Sequence, residues 1–79
     1  MDIKDLISSD KEILGGQTVF KGTRVPIESM FDHLEVGISL TDFLEEFPTV
    51  SKEQAIALLE ISSKIFNLKN LEQLYAAVA

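Results

Sequence analysis

The first residues in this chain with chemistry to offer are Lys21 and Arg24. They lie in Gly15-Gly16-Gln17-Thr18-Val19-Phe20-Lys21-Gly22-Thr23-Arg24-Val25-Pro26, a stretch with three of the four glycines, one of the two prolines and the only arginine. The stretch has the outline of a phosphate loop. Such a loop needs Gly-Lys followed by Ser or Thr, so that backbone N–H groups, ammonium and hydroxyl converge on phosphate oxygens; Lys21-Gly22-Thr23 reverses that order. A turn is the simpler reading. Lys21 and Arg24 then remain as surface cations that an anionic partner would touch.

His33 is the only histidine and stands near Asp32 and Glu35, with no cysteine anywhere in the chain. A metal site needs several converging ligands, and one histidine among helical carboxylates reads as a solvated side chain. Nucleophilic catalysis needs a nucleophile, a base and an orienting group together. The serines fall instead at predicted helix caps (Ser39, Ser51) or along helices (Ser29, Ser62, Ser63). The expectation is a non-enzymatic protein without cofactor or metal. An enzyme would require an unforeseen meeting of Asp, Glu and His33 in one cleft.

The net charge of −6 is unevenly spread. Residues 1–26 and 51–79 are each balanced, so the whole excess lies in residues 27–50. There Glu28, Asp32, Glu35, Asp42, Glu45 and Glu46 face no lysine or arginine. That segment repels phosphate and attracts a basic surface. Read blandly, it is a solvated acidic face that keeps the chain soluble.

Those residues must be positioned by a small fold. Seventy-nine residues support one domain, and with 46% apolar residues and no disulfide such a chain is a candidate for burying surface in a homodimer or against another protein. The N-terminus lacks the pattern of a secretory signal, and no apolar run reaches the length of a membrane span, so a cytoplasmic location is expected. Ile3, Leu6 and Ile7 fit one helical turn, and Ser8-Ser9-Asp10 reads as a break. Ile13-Leu14 reads as a first strand pairing with Thr18-Val19-Phe20 across Gly15-Gly16. Val19 and Phe20 would also supply a strand able to pair across a dimer axis.

Pro26 suits the start of a first helix over residues 26–36, because Ile27, Met30, Phe31 and Leu34 repeat at i, i+3, i+4 and i+7. Gly37 follows its last turn. Ser39 caps a second helix with a Leu40, Phe43, Leu44 and Phe47 stripe, which Pro48 ends. Ser51 and Gln54 form an S-x-x-Q capping box for a third helix through Phe66. Leu71, Leu74, Tyr75 and Val78 form a last apolar stripe. The predicted organisation is a mainly α, helix-turn-helix-like three-helix domain with a short N-terminal β-hairpin over residues 1–64, then a helical tail over 65–79. In a helix-turn-helix the second helix brings its first residues, here Lys52 and Gln54, to nucleic acid. With Lys21 and Arg24 these are the nucleic-acid-binding candidates.

Ile13 to Pro26, Gly37-Ile38-Ser39-Leu40, Glu45-Glu46-Phe47-Pro48-Thr49-Val50 and Gln54-Ala55 together resemble the small bacterial and archaeal proteins grouped as domain of unknown function 433. The likeness spans about residues 5–62 around a G-G-x-x-x-x-x-G-T-R-x-P core. Members commonly carry Pro at the position of Thr18. The resemblance implies a helix-turn-helix-like domain with an N-terminal hairpin that tends to dimerise. It also implies a role as the antitoxin of a VapBC-like pair, with a PIN-like ribonuclease toxin as partner. On that expectation Phe66, Leu68, Leu71, Leu74 and Tyr75 would occupy an apolar groove on the toxin, and the protein would bind its own promoter DNA. The alternative is an acidic structural or adaptor homodimer with no nucleic-acid role.

Overall fold

The computed structural model describes residues 2–65. The order of elements is α1 (Ile3–Leu6), β1 (Ile7–Ser9), β2 (Thr18–Phe20), α2 (Ile27–Glu35), α3 (Leu40–Glu46) and α4 (Lys52–Ile65). The described residues are thus mainly helical, with one short antiparallel hairpin near the N-terminus.

The hairpin corrects two expectations. The strand paired with β2 is β1, in the register Ile7↔Phe20, Ser8↔Val19, Ser9↔Thr18, so Ser8 and Ser9 are strand rather than break. Ile13 and Leu14 belong to the loop 10–17, where Leu14–Gly16 forms a 3-10 turn. Leu14, Gly15 and Gly16 all take positive φ, at 51°, 68° and 92°. Three left-handed residues in succession cannot continue a strand, and two of them being glycine makes the turn tolerable. The loop closes on itself through Ile13 N–H to the Asp10 carbonyl (2.9 Å) and the Ser9 hydroxyl to the Gly16 carbonyl (2.6 Å).

β2 is the middle of this corner. On one edge it meets β1; on the other the Phe20 N–H donates to the Val25 carbonyl at 3.0 Å, and Val19 bridges Pro26. Its side chains point into the protein, with Val19 and Phe20 essentially inaccessible to water. For Val19 and Phe20, the residues expected to pair across a dimer axis, the strand neighbours found lie within the chain. Both edges of the strand are occupied, and both side chains belong to the chain's own interior.

That interior is built from Phe20, Met30, Phe43, Val50, Ala55 and Leu58, with Ile27, Phe31, Leu34, Leu40, Leu44 and Leu59 packed around them. α2 and α3 contribute the stripes their spacing predicts, and α4 contributes Ala55 and Leu58 while Ile56 is left exposed. Phe20 and Phe43 approach with ring centroids 6.3 Å apart, and Phe43 and Phe47 at 5.0 Å, which joins the hairpin to α3 by aromatic contacts. Leu6, the last residue of α1, is fully buried as well.

The helix boundaries follow local chemistry. Pro26 sits just outside α2 as its cap residue, one position earlier than a first helical residue. Gly37 follows α2 at φ 89°, a backbone state that residues with a Cβ resist. Ser39 caps α3 by accepting from the Asp42 N–H at 3.1 Å. Ser51 and Gln54 close a reciprocal capping box on α4, at 3.0 and 3.1 Å. The tail residues Phe66, Leu68, Leu71, Leu74 and Tyr75 lie outside the described residues. Among the described residues no helix is long and apolar enough to cross a membrane.

Candidate functional site

Lys21 begins the short loop that carries the chain from β2 to α2, and three bonds fix it. Its N–H donates to the Leu6 carbonyl at 2.8 Å, its carbonyl accepts from Gln54 Nε2 at 3.0 Å, and its Nζ donates to the Lys4 carbonyl at 3.1 Å. The last contact is to a neutral oxygen, so the ammonium keeps its charge uncompensated. Thr23 latches the loop: its Oγ1 donates to the Phe20 carbonyl at 2.8 Å and accepts from the Val25 N–H at 3.0 Å. Arg24 follows this latch and is exposed.

Arg24 lies on a cleft of about 570 Å³ between the hairpin and the linker 47–51, lined also by Ser8, Thr23 and Thr49. No carboxylate lines it. Lys52, three residues beyond Thr49, is exposed at the first position of α4, where the positive helix end adds to its charge.

Gln54 is the bracket between these pieces. Its Oε1 accepts from Ser51 N–H while its Nε2 reaches the Lys21 carbonyl, so one amide caps α4 and ties it to the end of β2. The structure therefore brings Lys21, Gln54 and the start of α4 together, with Arg24 across the cleft from Thr49. Gln54 itself uses both ends of its amide inside the chain, a role that its capping-box spacing only half announces. Local sequence signals the Ser51 contact; the Lys21 contact spans 33 positions and has no such signal.

The opposite charge lies on the other helices. Glu28, Asp32, Glu35, Asp42 and Glu45 are exposed on α2 and α3. Among the described residues the one salt bridge is His33 Nε2 to Glu46 Oε2 at 3.1 Å, an ion pair only while the ring is protonated. His33 is not the solvated side chain its neighbours suggest. Its side chain is 20% exposed, its Nδ1 faces the Ser29 carbonyl, and its ring stands edge-on to Phe43 and Phe47, with centroids 5.3 and 5.5 Å away. The imidazole fills the seam between α2 and α3. A signal did exist: Phe43 and Phe47, at i and i+4 of the next helix, offer one aromatic face. Among the described residues no group of three or more His, Cys, Asp or Glu converges as metal ligands would.

A two-stranded hairpin latched to capped helices defines a small, mainly helical domain in outline. The chain belongs to the family described as "Protein of unknown function (DUF433)", whose model matches residues 7–60. It is also similar to "Uncharacterized protein y4eO" of Sinorhizobium fredii, 33% identical over 51 residues. That match covers 65% of this chain and 23% of the relative, so the chain spans under a quarter of the longer protein. No solved structure matches it.

Proposed function

We propose that the protein is an antitoxin-like binding module of a VapBC-like pair, a homodimer that engages a PIN-like ribonuclease toxin and contacts its own promoter DNA. On this reading α3 and α4 form a helix-turn-helix pair. The DNA backbone is met by Lys21, Arg24 and Lys52, with Gln54 holding the first and the last in register.

The observation that carries the DNA reading is the pair of exposed cations, Lys21 and Arg24, in the loop that follows β2. Among the described residues neither Lys21 nor Arg24 enters an intramolecular salt bridge. Had both been neutralised within the chain, neither could release counterions from a phosphate backbone, which is the main source of such affinity. The outward side of α4 carries Glu53 and Glu60 as well as Lys52, so contact comes from the start of this helix rather than along its length. A gel shift on the DNA upstream of its gene tests this reading. Binding should weaken as salt rises and be reduced in Arg24→Ala and Lys52→Ala; no shift at any salt removes the DNA role.

The toxin role rests on the family resemblance and the apolar spacing of Phe66, Leu68, Leu71, Leu74 and Tyr75. Co-expression with the neighbouring PIN-like gene product should give co-purification, and failure to bind it removes the toxin role. A second reading has its own observation: five exposed carboxylates of α2 and α3 without a cation favour an acidic adaptor homodimer that docks a basic partner. That adaptor would bind no DNA.

A further inference from the structure

The side of α4 that turns away from the core has a charge order of its own. Ala55 and Leu58 are buried inward, while Lys52, Ile56 and Glu60 are exposed. They recur at i, i+4 and i+8, which places them in one row along the helix. The row reads cation, apolar, anion. With Glu53 and the half-buried Ala57 it forms a shallow groove of about 370 Å³, and Ile56 is 38% exposed in it. The side chains of Lys52 and Glu60 have no ion-pair or hydrogen-bond partner among the described residues.

We propose that this face of α4 is a self-complementary surface on which α4 of a second copy of this chain packs antiparallel, centred on Ile56. A two-fold axis through Ile56 reverses the row, so each Lys52 meets Glu60 of the other copy, and the two Ile56 side chains meet at the axis. Ala57 beside them lets the helices approach. A parallel arrangement sets Lys52 against Lys52 and Glu60 against Glu60, so the charge order selects the antiparallel one. Glu53 lines the same groove, one turn before Ala57. The inference rests on the homodimeric part of the proposed function and supplies it with a face, which β2 does not offer. Lys52 is shared between this face and the proposed DNA contact, so in the pair the phosphate contacts fall mainly to Lys21 and Arg24 of both copies.

The row covers about two helical turns, so the pair is small and its formation should depend on concentration. Sedimentation of the full chain from about 10 µM to about 1 mM spans the range where such a pair forms. Lys52→Glu and Glu60→Lys should each weaken self-association about ten-fold or more. The double variant, with charges exchanged, should recover to within about three-fold of the starting protein. All three positions are on the surface, and circular dichroism checks that the variants remain folded. Because the chain has no cysteine, Ile56→Cys introduces a lone thiol at the axis, and mild oxidation should yield a disulfide-linked dimer that Glu28→Cys on α2 does not. A dimer insensitive to both single reversals, or unrestored by the exchange, or not cross-linked through position 56, overturns this face while leaving the homodimer intact. A monomer at every concentration overturns both.

Discussion

His33 and Gln54 show how much a single side chain does in so small a protein. His33 is held between Phe43 and Phe47, so its packing outweighs its ion pair: Glu46 is 60% exposed, and an exposed pair of this kind contributes little. His33→Ala should destabilise the fold by about 1–3 kcal/mol in urea denaturation, whereas Glu46→Gln should change it by less than about 0.5 kcal/mol. Equal effects would mean that the ion pair, not the ring, holds the α2–α3 seam. Gln54→Ala removes the reciprocal cap and the link to the Lys21 carbonyl, and should cost about 1–2 kcal/mol. Gln54→Glu keeps an acceptor for Ser51 and loses the donor to Lys21, so its loss should be intermediate; the same denaturation series checks this order.

Among the elements, those with local signals were legible in the sequence. The starts of α3 and α4 follow from Ser39 and from the Ser51 and Gln54 box, because a cap needs only residues three apart. The apolar stripes of α2 and α3 follow from helical spacing. β1 was not legible, since Ile7-Ser8-Ser9 is short and polar and becomes strand only by pairing with β2, across the loop 10–17. Ile13-Leu14 looked better by composition, but the left-handed run at Leu14, Gly15 and Gly16 needs those positions for the turn. The burial of His33 was hidden for a related reason: it depends on two rings from another helix. Gly37 provides an element-scale test. Its φ of 89° should make Gly37→Ala about 1 kcal/mol less stable by thermal or urea unfolding, although a Cβ there meets no atom within 4 Å. A neutral result would show that the α2–α3 turn relaxes to another backbone form.

At the scale of the whole molecule, charge separation is the feature from which the functional reading follows. The sequence located the excess of carboxylates in residues 27–50 and singled out Lys21, Arg24, Lys52 and Gln54. It did not indicate that Gln54 works inside the chain, binding the backbone at Lys21 to the start of α4. The cations after β2 and the carboxylates of α2 and α3 would each attract a partner of opposite charge, the first favouring the proposed DNA contact and the second the adaptor reading.

The most direct test of the proposed function is fluorescence anisotropy of a labelled duplex from upstream of the gene, titrated with the full chain at several salt concentrations. Binding is expected at about 50 mM salt and should weaken steadily as salt rises. Lys21→Ala and Arg24→Ala should each weaken it and lower the salt slope by about one for every phosphate contact removed. Absence of binding at every salt concentration, or binding that neither substitution changes, would contradict the proposed function.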